Sequence, residues 1–319
     1  MKVLITGATG LVGQAIVKEL KKKSVPIHYL TTSKNKIETE NGYKGFYWNP
    51  ANLEMDMAAL DGVTDIINLA GASISKRWTS SYKKEIIDSR INSLKTLKKG
   101  IELVGDDNLI GFVSASAIGI YPDSLTNLYD VEETAVDDSF LGEVVKLWEE
   151  EIKTFQKFDI NVSMVRIGLV LSKDGGALPQ IKKPVQNYVG AAFGSGEQWQ
   201  SWIHIQDLAE LFVFILKHQL KSVFNGVAPN PVTNSKMTKE LANVLQKPLW
   251  LPNIPKLVMR AVLGEMSYIL FASQRVSSRR IEEEGFLFNY ANICAALRNI
   301  YDAPNPEPKL TEKYEETYS

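Results

Sequence analysis

Short apolar, β-branched runs alternate along this chain with stretches whose apolar positions recur every three to four residues. The first run covers residues 3–6 and gives way to a helical pattern over 11–22. Further runs fall at 26–31, 45–48 and 65–69, before a long helical stretch over 80–104. Runs at 109–114 and 162–167 continue the series, with a helical pattern over 139–158 between them. Strands separated by helices cannot pair as hairpins, so the pattern predicts βαβ units and right-handed crossovers. The expected fold is α/β, a doubly wound parallel-sheet Rossmann fold with a small C-terminal lobe.

The texture changes after Ser172. A glycine- and proline-containing stretch over 173–199 reads as loop, and 202–204 and 223–227 read as further strands. Helical patterns follow at 208–217, 235–245, 254–263 and 274–283. These shifts predict a dinucleotide-binding domain over 1–172, its sheet completed by 200–230. A smaller substrate lobe is expected from 173–199 and 231–302, and a loosely ordered tail from 303–319, which is rich in Pro, Glu, Lys and Thr.

Between the first strand and the first helix stand Gly7, Gly10 and Gly13. The three glycines answer different steric demands. Gly7 turns the chain off the strand, Gly10 admits a phosphate close to backbone, and Gly13 lets helix and sheet approach. The uncapped N–H groups of the helix then meet the anion with the positive end of its dipole. Gly7, Thr9, Gly10, Leu11, Val12 and Gly13 are therefore the expected contacts of a dinucleotide pyrophosphate.

Composition narrows the classes. The 319 residues carry 36 Lys plus Arg against 37 Asp plus Glu, a net charge of -1, which gives no footprint for nucleic acid. Cys294 is the single cysteine, so there is neither an intramolecular disulfide nor a multi-thiolate metal site, and a buried inert thiol in a reducing compartment is expected. Three scattered histidines offer no metal-ligand spacing. No uncharged apolar run reaches the ~18 residues of a membrane span, and the first strand begins at the N-terminus without room for a cleavable signal. The expectation is a cytoplasmic protein acting on a small molecule, with no nucleic acid, membrane or metal partner. Its oligomeric state is left open.

The nucleotide is chosen at the end of the second strand, where a carboxylate selects the free ribose 2'-hydroxyl of NAD. Here that strand ends in Thr32, Ser33 and Lys34, with no carboxylate before Glu38. Two hydroxyls and a lysine suit a 2'-phosphate, which favours NADP over NAD.

Gly7-Ala8-Thr9-Gly10-Leu11-Val12-Gly13, Asn68-Leu69-Ala70-Gly71 and Ser114-Ala115-Ser116-Ala117 followed by Tyr121 resemble the extended short-chain dehydrogenase/reductases. Lys76-Arg77-Trp78-Thr79, Trp148-Glu149, Gly194-Ser195-Gly196, Trp202-Ile203-His204-Ile205 and Gly264-Glu265-Met266 are similar, more narrowly, to the atypical "epimerase family protein" group. The resemblance covers residues 1 to about 300. It implies an NADP-type Rossmann domain in which Leu69, Ala70 and Gly71 border the cofactor and Asn49 stands at the adenine-recognising position. It also implies Ser116 at the place of the family's catalytic serine.

The family's tyrosine and the lysine four residues after it are missing, since none of the 12 tyrosines is followed by such a lysine. Matching the helix by Trp148-Glu149 sets Leu141 and Val145 in their places, and neither can carry a proton or a charge. Tyr121 has two readings, a substitute with its phenol in the same cleft as Ser116 or a ring packed under the cofactor, while Lys146 is turned to solvent. Arg166, Trp199, Trp202 and His204 are the expected substrate-pocket residues, with a structural ion pair the other reading of Arg166 and a satisfied strand residue that of His204; Asp207 is read as a helix cap. Arg275 and Arg279 are expected to share one helical face. The functional expectation is an NADP-dependent oxidoreductase or epimerase-like enzyme of unassigned substrate. A non-catalytic NADP-binding sensor stands as the alternative, and a nucleotide-sugar epimerase as a weaker one.

Overall fold

The computed structural model describes residues 1–302. The expected loose tail at 303–319 lies outside the described residues. Strands of three residues or more are β1 (Val3–Thr6), β2 (Ile27–Thr31), β3 (Tyr43–Asn49), β4 (Asp65–Asn68), β5 (Gly111–Ala117), β6 (Asn161–Ile167), β7 (Leu169–Leu171), β8 (Trp202–His204) and β9 (Val223–Gly226). The helices are α1 (Leu11–Lys22), α2 (Ser80–Val104), α3 (Phe140–Lys153), α4 (Leu178–Gln186), α5 (Ile205–Lys217), α6 (Asn234–Val244), α7 (Lys256–Leu263), α8 (Tyr268–Phe271), α9 (Arg279–Glu283) and α10 (Ile293–Tyr301).

The main sheet runs β9-β6-β5-β4-β1-β2-β3 with every one of these pairings parallel. From β1 the chain builds outward through β2 to β3, then returns to place β4 on the other side of β1. That reversal makes the crevice at the carboxyl ends of β1 and β4 the ligand-binding position of such a sheet. The central strands are buried along their whole length, as the apolar runs require when helices cover both faces. α1 packs on α5 and α2 on α3, giving the flanking layers. A second core forms the small lobe, where Leu171, Trp202, Met237, Leu241 and Leu297 meet.

Three expectations for the smaller lobe change. The 177–189 stretch, read as loop, contains α4: Pro179 is tolerated in its first turn, and burial of Leu178 and Val185 holds the helix despite Pro184. The 274–283 pattern is not one helix. Arg275–Val276 pairs in parallel with Leu128–Tyr129, and α9 begins only after it, so Arg275 and Arg279 share no face. α10 was not anticipated; Asn292 caps it by accepting the Cys294 N–H at 2.8 Å.

Candidate functional site

β1 ends at Gly7, whose φ of 71° is open to glycine and strained for other residues. A β-carbon there would also stand 3.1 Å from the Leu69 carbonyl group at the end of β4. The turn closes through Gly10 N–H donating to the Gly7 carbonyl at 3.0 Å. Gly13 is the tightest position, because its β-carbon would fall 2.2 Å from Gly7 O. Gly10 is different: a β-carbon would meet Gly7 O alone, at 3.3 Å, so its small size leaves room on the open side of the turn. Gly10 offers α1 no side-chain cap and the first turn holds no acid, which leaves a positive helix end facing a prospective anion.

The crevice beyond this turn is a cleft of about 680 Å³. Gly7, Thr9, Thr32, Asn49, Ala70 and Gly71, six of the expected cofactor residues, line it. Thr31 and Trp48 also line it, as do Ser81, Lys84, Asp88, Ser89 and Asn92 of α2; of these only Lys84 stands out in the sequence, and there as part of a solvated lysine face. Their spacing of three to four residues along an unbroken helix was the available signal, and it looked like any polar helix face. Leu11 and Val12 are half-buried at the start of α1, while Gly13 is buried under the turn. At the end of β2 the Lys34 ammonium lies over the Tyr47 ring, 5.0 Å from its centre, and Ser33 is half-exposed. Tyr29 fixes this loop by donating to Lys36 O at 2.7 Å and accepting from the Glu38 N–H at 2.8 Å.

The wall at Leu69, Ala70 and Gly71 is set by buried side chains. The Thr6 hydroxyl accepts from the Leu69 and Ala70 N–H groups and donates to Asn68 Oδ1 at 2.7 Å. Asn68 Nδ2 donates in turn to Ser114 Oγ at 3.0 Å. Behind Gly71 lies Arg90, which donates through Nη1 to the carbonyls of Ala72 and Ile86 and stacks on Trp148. It faces no carboxylate within ion-pair reach among the described residues, and its Nε is buried without a partner. Burial lowers its pKa to about 10.

The candidate catalytic groups are held otherwise than expected. Ser116 Oγ, at the end of β5, donates to Glu149 Oε1 at 2.6 Å. Glu149 accepts two bonds from Arg166, Nε to Oε1 at 2.8 Å and Nη2 to Oε2 at 2.9 Å. The third guanidinium nitrogen donates to the Tyr121 hydroxyl, which donates to Asn225 Oδ1 at 2.7 Å. Tyr121 is fully buried and stacked on Tyr129, so its phenol belongs to this network and does not open on the cleft. Burial raises its pKa against the pull of Arg166, the opposite of what a proton-transferring tyrosine needs. Burial pulls the Arg166 pKa down, and Glu149 and Tyr121 together carry it above its ordinary value; the guanidinium on β6 and the carboxylate on α3 form a buried ion pair between sheet and helix.

The missing tyrosine and lysine have apolar substitutes with a packing role. A β-carbon on Gly119 would stand 3.4 Å from Leu141 Cβ and 3.9 Å from Val145 Cγ2, so the 118–120 turn sits directly on these two positions. Lys146, one residue on, is exposed as expected.

The expected pocket residues separate. Trp202 is fully buried in the second core and donates to Asn230 O at 3.0 Å. His204 is 4% exposed and accepts the Gln206 N–H through Nδ1, so His204, not Asp207, caps α5. Asp207 instead receives the Asn289 and Tyr290 N–H groups and the Asn289 amide. Burial pushes the His204 pKa down to about 4. Trp199 alone of the four is half-exposed, with Arg275 stacked on its indole at 4.6 Å.

A glycine turn at the reversal of a parallel sheet, a helix-bounded cleft beside it and a second small lobe define a protein of the extended short-chain dehydrogenase/reductase class. The chain belongs to the NAD dependent epimerase/dehydratase family, which residues 3–225 match; residues 254–300 match DUF1731, a domain of unknown function. Within that family it groups with the atypical epimerase family proteins. It is 38% identical over 306 residues to the chloroplastic epimerase family protein SDR39U1 homolog of Arabidopsis thaliana, covering 94% of this chain and 86% of that one. It is also 38% identical to epimerase family protein SERP0438 of Staphylococcus epidermidis, over 94% and 99% of the two chains. Among solved structures, human epimerase family protein SDR39U1 with NADPH aligns with a TM-score of 0.82 at 28% identity, over 95% of this chain and 99% of that one.

Proposed function

We propose that this chain binds NADP(H) in the cleft and exchanges hydride with a small-molecule substrate. One observation carries the cofactor reading: the turn leading into the uncapped helix start at Gly10 borders, through Gly7 and Thr9, a cleft of about 680 Å³ that reaches Thr32, with no carboxylate at the end of β2. The space beside Gly10 fits a pyrophosphate, and Thr32, Ser33 and Lys34 fit a 2'-phosphate by hydrogen bonds and charge. The human relative was solved with NADPH, which agrees with this choice. A bound nicotinamide supplies the hydride chemistry, and this chain's residues supply position and exclusion of water. Gly7 and Ala70 with Gly71 border the turn that would hold it, and the Thr6 hydroxyl fixes that wall.

Proton transfer is the unusual part. The Ser116 and Tyr121 hydroxyls are committed to Glu149, Asn225 and Arg166, and Leu141 and Val145 are apolar. Such a site moves a proton through a group of the substrate or through water. The same commitment favours a second reading, an NADP-occupied protein without turnover. It speaks against nucleotide-sugar epimerisation, which draws on the tyrosine and lysine. Fluorescence titration with NADPH and NADH tests the cofactor, and tighter NADH binding would defeat the NADP reading. Incubation with metabolite pools and NADP or NADPH, followed by mass spectrometry, separates enzyme from sensor: a cofactor-dependent product supports the first, and its absence from every pool the second.

A further inference from the structure

None of the side chains of α7 is buried. Leu257, Val258, Ala261 and Val262 occupy one face of this helix, and that face points to solvent: Leu257 is 78% exposed. Met259 and Leu263, on the opposite face, are the half-buried positions. The helix therefore presents its apolar side outward, the reverse of a surface helix on a globular core. The neighbouring segment continues the surface. Trp250 is 71% exposed and donates through its indole N–H to Tyr188 O at 2.9 Å, and Val189 and Leu251 are exposed beside it. Segments 188–194 and 249–254 run side by side, joined by Ile254 N–H to Ala192 O at 2.8 Å and Gly194 N–H to Ile254 O at 2.9 Å.

The charge on this surface has one sign. Residues 175–196 and 241–264 contain no Asp or Glu, whereas Lys182, Lys183, Lys247, Lys256 and Arg260 stand in them. Lys256 and Arg260, one turn apart, flank the apolar face of α7, and Lys247 lies over the Tyr188 ring. The first carboxylate after the helix, Glu265, is paired with Lys83. A second copy docking by a two-fold axis would set these cations against themselves with no carboxylate opposite. A ridge of Trp, Leu and Val with a basic collar matches an anionic lipid surface: the apolar side enters the headgroup boundary and the cations meet lipid phosphates.

We propose that α7 and the Trp250 segment dock this protein on the surface of anionic membranes, without spanning them. No helix among the described residues is long and apolar enough to cross a membrane, which leaves peripheral docking as the mode.

The proposal is tested by sedimentation of the full chain with phosphatidylcholine vesicles, with or without roughly one-third phosphatidylserine. The expected result is binding to the anionic vesicles, at least about tenfold weaker on neutral ones and weakened by salt. Trp250→Ser with Leu257→Ser should cut it by about tenfold or more with an unchanged melting temperature, since both side chains are exposed. Lys256→Glu with Arg260→Glu should remove the preference for anionic lipid. Failure to sediment with anionic vesicles overturns the proposal, as does binding indifferent to both double variants. A stable dimer in light scattering that the Trp250→Ser, Leu257→Ser variant dissociates also overturns it, assigning the face to a second copy.

Discussion

Arg166 donates through Nη1 to the Tyr121 hydroxyl at 2.9 Å, and this bond sets the tyrosine's role. A hydroxyl that accepts from a guanidinium and donates to Asn225 has its proton placed already. Tyr121→Phe should therefore leave NADPH affinity and any turnover near the wild-type level while costing about 1–2 kcal/mol of stability in urea unfolding. A loss of turnover of ~100-fold at unchanged stability would return Tyr121 to catalysis.

Glu149 is the hub of the same network, holding Ser116 and the Nε and Nη2 groups of Arg166. Glu149→Ala strands a buried guanidinium, so the expected cost is about 3–5 kcal/mol. Chemical denaturation reads it directly. A cost below ~1 kcal/mol would show that Arg166 finds water or another acceptor.

The glycines of the turn should separate by experiment. Gly13→Ala forces a β-carbon to 2.2 Å from Gly7 O, so both folding stability and NADPH binding should fall. Gly10→Ala meets only Gly7 O at 3.3 Å, at a backbone φ of -83° that alanine accepts. That variant should melt within a few degrees of the wild type yet bind NADPH at least about tenfold more weakly. Equal NADPH affinity in Gly10→Ala would remove the pyrophosphate from this turn.

In the proposed NADP reading, Lys34 and Thr32 carry the nucleotide preference. Lys34→Ala should weaken NADPH by roughly tenfold and leave NADH unchanged, with the NADPH effect shrinking in salt. Parallel titrations of the two cofactors measure it, and an equal loss for both would place Lys34 away from the 2'-phosphate.

His204 gives the fold a pH dependence of known sign. Its folded pKa, near 4, lies below the ordinary histidine value of about 6.5, so the unfolded chain takes up the proton first as pH falls. Stability contributed by the neutral ring is complete above pH ~6.5 and is lost between pH ~6.5 and ~4, at most about 3 kcal/mol. Burial raises Asp207 and Asp65, which act in the opposite sense as pH falls toward the ordinary aspartate value, so the His204 share is read as the difference from His204→Asn. A variant whose stability falls with acid as steeply as the wild type does would contradict this.

The sheet was legible because its strands are short apolar runs set between helical patterns, and because Gly7 and Gly13 answer local steric demands at the end of β1. α1 runs from Leu11 to Lys22, as its periodicity indicates, and α2 from Ser80 to Val104 likewise. The pocket assignments fared differently for a physical reason. Trp202, His204 and Arg166 are polar-capable side chains near strand ends, a position shared by ligand contacts and by buried partners. Only the location of Asn230, Gln206 and Glu149 distinguishes the two, and those contacts join elements up to 28 residues apart. The small lobe was hardest, since α4 and α10 draw their stability from each other's neighbours in the second core rather than from a strong pattern of their own.

The buried polar chain beneath the cleft has a direction. Leu69 and Ala70 N–H give to Thr6, Thr6 gives to Asn68, Asn68 gives to Ser114, and Ser114 gives to the Ala115 carbonyl. The Thr6 oxygen already accepts two N–H groups and has only its own proton to give, so the Asn68 amide turns its oxygen to Thr6 and its nitrogen to Ser114. The three strand ends that frame the cleft are thereby keyed to one another by proton placement as well as by shape. Asn68→Asp, nearly isosteric, would bring a carboxylate where an amide donor is needed and put β1, β4 and β5 out of register in hydrogen-bond sense without moving an atom.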